Sequence, residues 1–269
     1  MPSRFAVSNI GLPAGDHTAM LPAVAAMGIA GIEVAPSRIW STTGEGLSPG
    51  QVSAYRRHVE AAGLKVVGLH SLFFDHPELG LFKTETRSAS LDFLAHLSAV
   101  CRDLGGRTLI WGGGRRRGAI EKTDALNEAI RFISELCRRI ESHGTCICFE
   151  PLGPKDSDFI NSGFEALHIA AAVDHPAFAV QLDAKALHEN KEDTSAIFLA
   201  AKDRLTHFHA NQPGLAVLDD GPVDHRKMGN LLREIGYEGY VSIEQRLLNE
   251  FDPLSDLRRS AAIAKECYA

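Results

Sequence analysis

The chain has 269 residues, a formal net charge of −6 and 45% hydrophobic residues, a composition that is ordinary for a globular protein and excludes a disordered or fibrous one. Its acidic balance gives no electrostatic reason to expect nucleic acid or an anionic membrane as a partner. No run of about 18 apolar residues and no signal-peptide-like N-terminal stretch is present, so we expect a cytoplasmic protein without a membrane span.

Short apolar runs alternate with longer amphipathic segments along the whole chain. Eight runs rich in Val, Ile, Leu or Phe are predicted to be strands buried on both faces, at residues 5–11, 31–36, 65–71, 107–113, 145–151, 178–184, 205–211 and 239–245. Helices are predicted at residues 16–27, 49–62, 87–104, 123–143, 163–173, 194–203, 224–235 and 253–265. For the helix over 123–143, Thr123 is the predicted N-cap and Gly144 follows the end.

Eight strand–helix units in series predict a parallel sheet, and eight is the number that closes a (β/α)8 TIM barrel. An open doubly wound sheet is the alternative, but the first strand is not followed by the glycine-rich phosphate turn of that fold. No linker or low-complexity segment interrupts the pattern. We therefore expect residues 1–269 to form a single α/β domain, a TIM barrel.

The cysteines favour a protein without disulfides. There are five, which is an odd number, and no C-x-x-C pair occurs. Cys146 and Cys148 lie two residues apart in a predicted strand, so their side chains are expected on the same face. We expect the cysteines to be small buried side chains.

Chemically active residues stand at the ends of the last four predicted strands. They are Glu150 in ICFEP, Asp183 in VQLDA, His209 in THFHAN and Glu244 in VSIEQ. In a TIM barrel the C-terminal strand ends meet at one mouth, so these side chains should converge. Three carboxylates brought together repel each other without a cation, and this ligand set suits Mn²⁺, Mg²⁺ or Co²⁺. The sequence thus predicts an open site for a divalent metal ion.

Taken singly, each of these acids has a simpler interpretation as a strand-end residue that backbone N–H groups or a neighbouring cation satisfy. However, all four residues stand at the same position, the end of a strand, on four consecutive strands. This agreement favours the metal site over four unrelated strand-end residues. Two nearby polar residues are weaker candidates: His207 is expected one layer deeper as core support, and Glu33 to hold polar groups at the mouth. The loop over 115–117, with three arginines, is either simply solvated or holds an anionic group of a substrate.

The strand ends also carry a resemblance to a known family. The segments FEPLG, QLDAKALH, HFHANQ and YVSIEQ, with GIEVA and VVGLHS nearer the N-terminus, resemble the xylose isomerase-like barrels of sugar phosphate isomerases and epimerases. That family includes D-tagatose 3-epimerase-type enzymes, inosose isomerases and dehydratases, and hydroxypyruvate isomerases. The resemblance covers the whole chain and is most specific over residues 146–246.

The resemblance implies that Glu150, Asp183, His209 and Glu244 bind one divalent metal ion. It also implies that Glu150 and Glu244 are the catalytic acid–base pair, on opposite faces of the substrate. Mn²⁺ is the metal expected first, with Mg²⁺, Co²⁺ or Zn²⁺ as alternatives. The implied partner is a small sugar or polyol ketone, and the implied assembly is a homodimer or homotetramer.

This set of groups suits proton transfer beside a carbonyl. Such chemistry needs a base, an acid and a group that stabilises the enediolate charge, which a metal ion chelated by the substrate supplies. Two opposed carboxylates invert a carbon centre, whereas return of the proton to the neighbouring carbon gives an aldose–ketose isomerisation. We therefore expect a metal-dependent isomerase or epimerase of a ketose, ketose phosphate or inosose. The alternative within the family is elimination, by an inosose dehydratase or a 3-oxo-glycoside lyase.

Several expected substrate contacts depart from the epimerase pattern. His70, at the end of the third predicted strand, matches a substrate contact of the family, and the alternative is a buried, hydrogen-bonded histidine. Asp156 stands where the epimerases have a Glu, six residues past the first metal ligand. The epimerases carry D-x-x-H after the sixth strand, but the His position is Ala186 here. Lys185 or His188 is the expected substitute, and the alternative for each is an ordinary residue at the start of a helix.

Three further contacts are expected from position. Asn211 continues the inward face of the seventh strand and is expected to hydrogen-bond a sugar hydroxyl. The epimerase Arg is replaced by Leu215, and Arg246, two residues beyond Glu244, is expected to bring a cation back to the mouth. Trp111 either offers an aromatic face to the sugar or packs in a loop. These departures disfavour a simple ketohexose 3-epimerase.

Two other classes of function remain as alternatives. The wider superfamily contains zinc-dependent endonucleases, but their chemistry needs several metal ions and a basic face, and this chain is acidic. A non-catalytic sugar-binding barrel would not need both catalytic acids. We therefore expect an enzyme that acts on a small molecule.

Overall fold

The computed structural model describes residues 4–44 and 46–269. Within them, the strands are β1 Phe5–Ser8, β2 Gly31–Val34, β3 Lys65–Leu69, β4 Thr108–Trp111, β5 Cys146–Phe149, β6 Phe178–Asp183, β7 Leu205–Ala210 and β8 Val241–Ile243. Each strand pairs in parallel with the next, and β8 pairs with β1. The sheet is therefore closed, and the predicted (β/α)8 TIM barrel is confirmed.

Helices follow the strands and cover the outside of the barrel. They are α1 Leu21–Ala26, α2 Pro49–Ala61, α3 Arg87–Asp103, α4 Lys122–Ile140, α5 Gly163–Val173, α6 Ala184–Glu189, α7 Ser195–Ala201, α8 His225–Glu234 and α9 Ser255–Tyr268. Their apolar faces pack on the outward side chains of the strands and form one large hydrophobic core. No helix in the described ranges is long and apolar enough to cross a bilayer.

Element bounds differ from the predictions where local geometry intervenes. The strand predicted over 5–11 ends at Ser8 because Asn9–Gly11 turns into a 3-10 helix. The helix predicted over 16–27 is a 3-10 turn, Thr18–Met20, followed by α1. The helix α4 begins at Lys122, so its N-cap is Glu121 and the prediction of Thr123 was wrong. Gly144 adopts a left-handed φ of 71° after that helix, as expected.

The interior of the barrel is separate from the hydrophobic core around it. Ile110, Cys146, Cys148 and Ala179 form a small apolar cluster of their own there. Cys146 and Cys148 therefore share a face, as predicted, and all five cysteines are free and buried. Polar side chains, rather than further apolar ones, occupy much of the remaining interior toward the C-terminal strand ends.

Candidate metal centre

Four predicted ligands meet at the C-terminal mouth of the barrel. One ligand atom from each of Glu150, Asp183, His209 and Glu244 lies within 4.8 Å of the others. The Nδ1 atom of His209 is 3.1 Å from Glu150 Oε1, 3.7 Å from Asp183 Oδ2 and 3.5 Å from Glu244 Oε2. We call these four residues the quartet. The barrel brings them together because strands β5 to β8 are neighbours and each ends at the same face.

Hydrogen bonds orient two of the quartet carboxylates. Asp183 caps helix α6, because its Oδ1 accepts the N–H of Ala186 at 2.7 Å and its Oδ2 is left to face the quartet. The amide of Asn211 donates to Asp183 Oδ2 at 2.6 Å and to Glu244 Oε2 at 2.9 Å. Its Oδ1 accepts the N–H of Lys185. The amide nitrogen of Asn211 thus binds the quartet, and its oxygen binds the backbone that follows Asp183.

The imidazole of His209 is held from below by a buried carboxylate. Its Nε2 lies 2.9 Å from Glu33 Oε2, which also accepts the hydroxyl of Ser242 at 2.8 Å. In the neutral ring, a proton on Nε2 donated to Glu33 would leave the lone pair of Nδ1 available to a metal ion at the quartet. Metal-binding histidines commonly have this arrangement, in which a carboxylate sets the tautomer and the ring orientation.

A polar layer beneath the quartet was only partly anticipated. Gln181 donates to Glu150 Oε1 at 3.0 Å, and His207 Nε2 lies 3.2 Å from Glu33 Oε1. Gln181, His207 and Ser242 each precede a quartet residue by two positions, so the two-residue period of a strand could have found all three. Glu33 lies across the barrel on β2, and no sequence spacing links it to His209.

A second group of three ligand-type side chains, Glu33, His207 and His209, also lies within metal-binding distance. All three are buried, so a substrate has no access to that group. The quartet is different because Glu244 retains some exposure at the mouth. Open positions for substrate distinguish a catalytic metal site from a structural one.

Charge coupling separates the pKa values of the buried groups. Burial raises the pKa of Glu33, but His209 and His207 outweigh this and hold it well below its ordinary value. Burial lowers the pKa of His209, yet the surrounding carboxylates, Glu33 first, bring it well above its ordinary value. Burial raises the pKa of Glu150, whereas His209 and His70 keep the pKa of Glu244 below its ordinary value. The pKa values of two carboxyl groups in one site are thus shifted in opposite directions.

The donor set fits a divalent metal ion. Three carboxylates within a few ångströms of one another repel each other, and a hard cation would relieve that repulsion. The only non-oxygen ligand is an imidazole whose other nitrogen is already bound to a carboxylate. These features suit Mn²⁺, Mg²⁺ or Co²⁺ better than a closed structural zinc site.

Among the expected substrate contacts, His70 reaches the quartet. Its Nδ1 lies 3.6 Å from Glu244 Oε1, and its Nε2 is 2.7 Å from the hydroxyl of Ser8. Lys185 instead forms a 2.6 Å ion pair with Asp156 at the rim. Arg246 is exposed beyond β8, and within the described ranges no hydrogen bond or ion pair joins its side chain to a quartet member.

The structure does not bring Trp111 to the mouth. The ring packs between the barrel and helix α4, with centroids 5.6 Å from Phe132 and 5.2 Å from Phe149. It is 1% exposed, and its indole N–H donates to the carbonyl oxygen of Gly113. Odd and even positions of a strand point to opposite faces, and Trp111 points outward while Ile110 points into the barrel.

The backbone at Gly112 lies close to the carboxylate of Glu150, one of the quartet. This contact was not predicted from the sequence. A Cβ atom at this position would lie 2.2 Å from Glu150 Oε2. Glycine therefore lets the β4 end approach the Glu150 carboxylate. At Gly113, by contrast, a Cβ would meet nothing within 4 Å.

The first arginine of the arginine-rich loop binds the backbone and not a ligand. Arg115 is fully buried, and its guanidinium stacks 5.2 Å from the ring of Phe149. It donates to the carbonyl oxygens of Gly112, Glu150, Phe159 and Ile160. Burial lowers the pKa of Arg115 to about 10, so the group stays charged near neutral pH. This side chain ties the loops after β4 and β5 to each other.

We expect Arg115→Met to lower the free energy of unfolding by several kcal/mol. Each buried carbonyl left without a donor costs about 1–3 kcal/mol, and Arg115 serves four of them. The measurement is urea unfolding followed by circular dichroism. Arg116→Met is the matched control, because the Arg116 guanidinium is exposed and bonds carbonyls through one nitrogen. Equal losses in the two variants would contradict a structural role specific to Arg115.

Comparisons with known proteins agree with the fold. A family model described as a xylose isomerase-like TIM barrel matches residues 21–267. Fructoselysine 3-epimerase of Escherichia coli O157:H7 is 24% identical over 216 residues, which cover 72% of this chain and 78% of that protein. D-psicose 3-epimerase of Ruminiclostridium cellulolyticum is 25% identical over 125 residues, covering 46% of this chain and 43% of that protein.

Solved structures show the same barrel. The structure of D-psicose 3-epimerase with D-tagatose from Clostridium cellulolyticum H10 superposes with a TM-score of 0.84 at 16% identity. The match covers 99% of this chain and 99% of that one. At this level of identity the similarity establishes the fold.

Proposed function

Because the chain belongs to the xylose isomerase-like TIM barrel family, we propose that it is a metal-dependent sugar epimerase or isomerase that moves a proton beside the carbonyl of a small ketose or inosose. The observation that carries this proposal is the quartet, in which three carboxylates meet the ring of His209 and the buried carboxylate of Glu33 holds that ring. Two relatives at about a quarter identity, named as fructoselysine and D-psicose 3-epimerases, support it.

The placing of the two glutamates suits proton transfer at opposite faces of a substrate. Glu150 follows β5 and Glu244 follows β8, and two strands separate them around the closed barrel. Burial raises the pKa of Glu150, whereas His209 and His70 lower the pKa of Glu244, so the two carboxyl groups have different environments, as an acid and a base require. His70, 3.6 Å from Glu244, supports the ionised form of that carboxylate.

We propose that Glu150, Asp183, His209 and Glu244 hold one divalent metal ion, Mn²⁺ first among those the ligands suit. When bound, such an ion would stabilise negative charge on the substrate oxygens beside the carbon that loses its proton. Asn211 holds the carboxylates of Asp183 and Glu244 in place, and Glu150 and Glu244 remove and return the proton. Inversion follows when the two act on the same carbon from opposite faces.

Proton exchange in deuterated water tests the proposed function. Mn²⁺-loaded protein is incubated with ketoses, ketose phosphates and inososes, and the products are analysed by NMR after the metal is removed. We expect deuterium beside the carbonyl of at least one compound, with loss of exchange when a chelator is present. The product then separates epimerisation from isomerisation and from elimination of water. Absence of exchange across the panel, with metal bound, would overturn the proposal.

We expect Glu33→Gln to weaken metal binding by about 10–100-fold without abolishing it. A Gln at this position no longer provides the charge that holds the Nε2–H of His209, so the orientation and basicity of Nδ1 are lost in part. Titration of the metal-free protein with Mn²⁺ in a calorimeter measures the change. Asp183→Asn, which removes a quartet ligand, is compared in the same experiment.

This comparison also separates the two groups of ligands. An ion held by the quartet predicts a larger loss of affinity in Asp183→Asn than in Glu33→Gln. An ion held by Glu33, His207 and His209 predicts the reverse order and would refute the quartet as the metal site.

A further inference from the structure

A cavity of about 490 Å³ lies beside the quartet, between the loops that follow β3, β4 and β5. We call it the side pocket. Its volume is within the usual range for small-molecule sites. Phe73, Leu79, Phe82 and Ile120 supply apolar lining, and the Gly112–Gly114 backbone contributes a second wall. The cavity is therefore large enough for part of a substrate beyond the carbons at the quartet.

The side pocket adjoins the quartet at two points. Gly112 lines the pocket, and the same glycine faces Glu150 Oε2 so closely that a Cβ would lie 2.2 Å away. Asp156 also lines the pocket, and it pairs at 2.6 Å with Lys185, whose backbone follows Asp183. These residues are the links between the side pocket and the quartet.

The walls of the side pocket are fastened to each other. The loop after β3 is joined to the loop after β4 by the N–H of Leu81, which donates to the carbonyl of Gly114 at 2.9 Å. Gly80 approaches the same carbonyl so closely that a Cβ would lie 2.5 Å from its oxygen. Arg115 joins the loops after β4 and β5 through four backbone carbonyls. A fixed cavity binds a ligand with less ordering cost than a mobile loop does.

The charge of the side pocket is opposite to that of the protein. Lys83, Arg116 and Arg117 line it in a chain whose formal net charge is −6. Lys83 is exposed and has no ion-pair partner among the described residues. Arg116 uses Nη2 for two backbone carbonyls, and Arg117 uses Nε and Nη1, so each keeps nitrogen donors that bind no described group. Asp156, the acid in the lining, is already neutralised by Lys185.

We propose that the side pocket binds an anionic group, phosphate or carboxylate, at the end of the substrate distant from the reacting carbons. The substrate class is then an acidic ketose, with its carbonyl at the quartet and its anion beside Lys83 and Arg116. Guanidinium and ammonium groups with unused donors recognise such anions by charge-assisted hydrogen bonds. This inference rests on the proposed function for the chemistry at the quartet, and on the side pocket alone for the anion.

Calorimetry on the Mn²⁺-loaded protein tests the inference with three probes: D-fructose, D-fructose 6-phosphate and D-fructuronate. We expect at least one charged probe to bind about tenfold or more tightly than D-fructose. Lys83→Glu and Arg116→Glu should each reduce that preference, and the double variant should remove it. Lys65→Glu makes the same charge change at the start of β3, at the opposite end of the barrel, and should retain the preference. The phosphate and carboxylate probes identify which anion the pocket takes.

Two outcomes would overturn the inference. One is equal affinity for D-fructose and for both charged probes. The other is a preference for the charged probes that Lys65→Glu reduces as much as Lys83→Glu does, since overall charge alone would then explain it. Either result leaves the proposed function intact if deuterium exchange occurs with an uncharged ketose. The opposite combination is a preference for the charged probes that is lost in Lys83→Glu, together with no deuterium exchange on any ketose. That combination supports the anion site and refutes the proposed function.

Discussion

Replacing Glu244 by Gln is expected to lower turnover by about 10²–10⁴-fold while the barrel remains folded. The amide keeps the size of the side chain and can still accept the Asn211 N–H, but it cannot take a proton from carbon. Glu150→Gln is expected to have a loss of similar size. The measurement is kcat on whichever compound exchanges deuterium, with circular dichroism as the test of folding.

Both glutamates are proposed metal ligands, so a loss of metal must be distinguished from a loss of proton transfer. Asp183→Asn removes a ligand without a proposed proton-transfer role, and saturating Mn²⁺ should restore a substantial part of its activity. Glu244→Gln should stay inactive at the same concentration of metal. Glu250→Gln, at an exposed carboxylate beyond β8, is the matched control and should behave as the unaltered protein. Near-normal turnover of Glu244→Gln at saturating metal would refute the proposed mechanism.

Gly112→Ala is expected to lower kcat/KM by about 10²-fold, although it adds one methyl group. The new Cβ would lie 2.2 Å from Glu150 Oε2, so the carboxylate has to move away from the quartet. Displacement of about an ångström in a catalytic group is enough for a loss of this size. Weaker Mn²⁺ binding should accompany the loss, because the displaced carboxylate is a proposed ligand.

The neighbouring glycine supplies the control for this substitution. Gly113→Ala adds the same methyl group where nothing lies within 4 Å, and neither glycine has a left-handed φ that an alanine would strain. Gly113→Ala should therefore keep both activity and metal affinity. If the two variants lose activity equally, flexibility of the loop rather than the position of Glu150 would be the cause.

The barrel and the quartet were predictable because both are expressed in local patterns. Eight apolar runs that alternate with helical segments indicate a closed parallel sheet, in which a charged residue at the end of each of the last four runs lies at the same edge. The structure confirms the barrel and brings Glu150, Asp183, His209 and Glu244 to within ligand distance of one another. Asp183 shows how local this information is, since it ends β6 and also caps α6.

Residues that depend on contacts across the barrel were harder to predict. Glu33 was expected to hold polar groups at the mouth, but its partner His209, 176 positions away in the chain, was not predicted. The three adjacent arginines suggested an anion site, yet the first of them is buried and holds backbone carbonyls together. Trp111 lies at a strand end, as expected. Its side chain points outward to α4, and that direction depends on the strand register.

By itself, the sequence determined the order of strands and helices, the barrel that eight such units close, and the quartet at its mouth, because these follow from periodicity and from the common direction of parallel strands. Only the tertiary structure shows which nitrogen of His209 faces the quartet carboxylates and that a side chain at Gly112 would collide with Glu150. It alone also shows which cations of the side pocket keep donors that bind no described group. Those properties arise from distances between loops and strands that are remote in sequence, and no local pattern of residues encodes such distances.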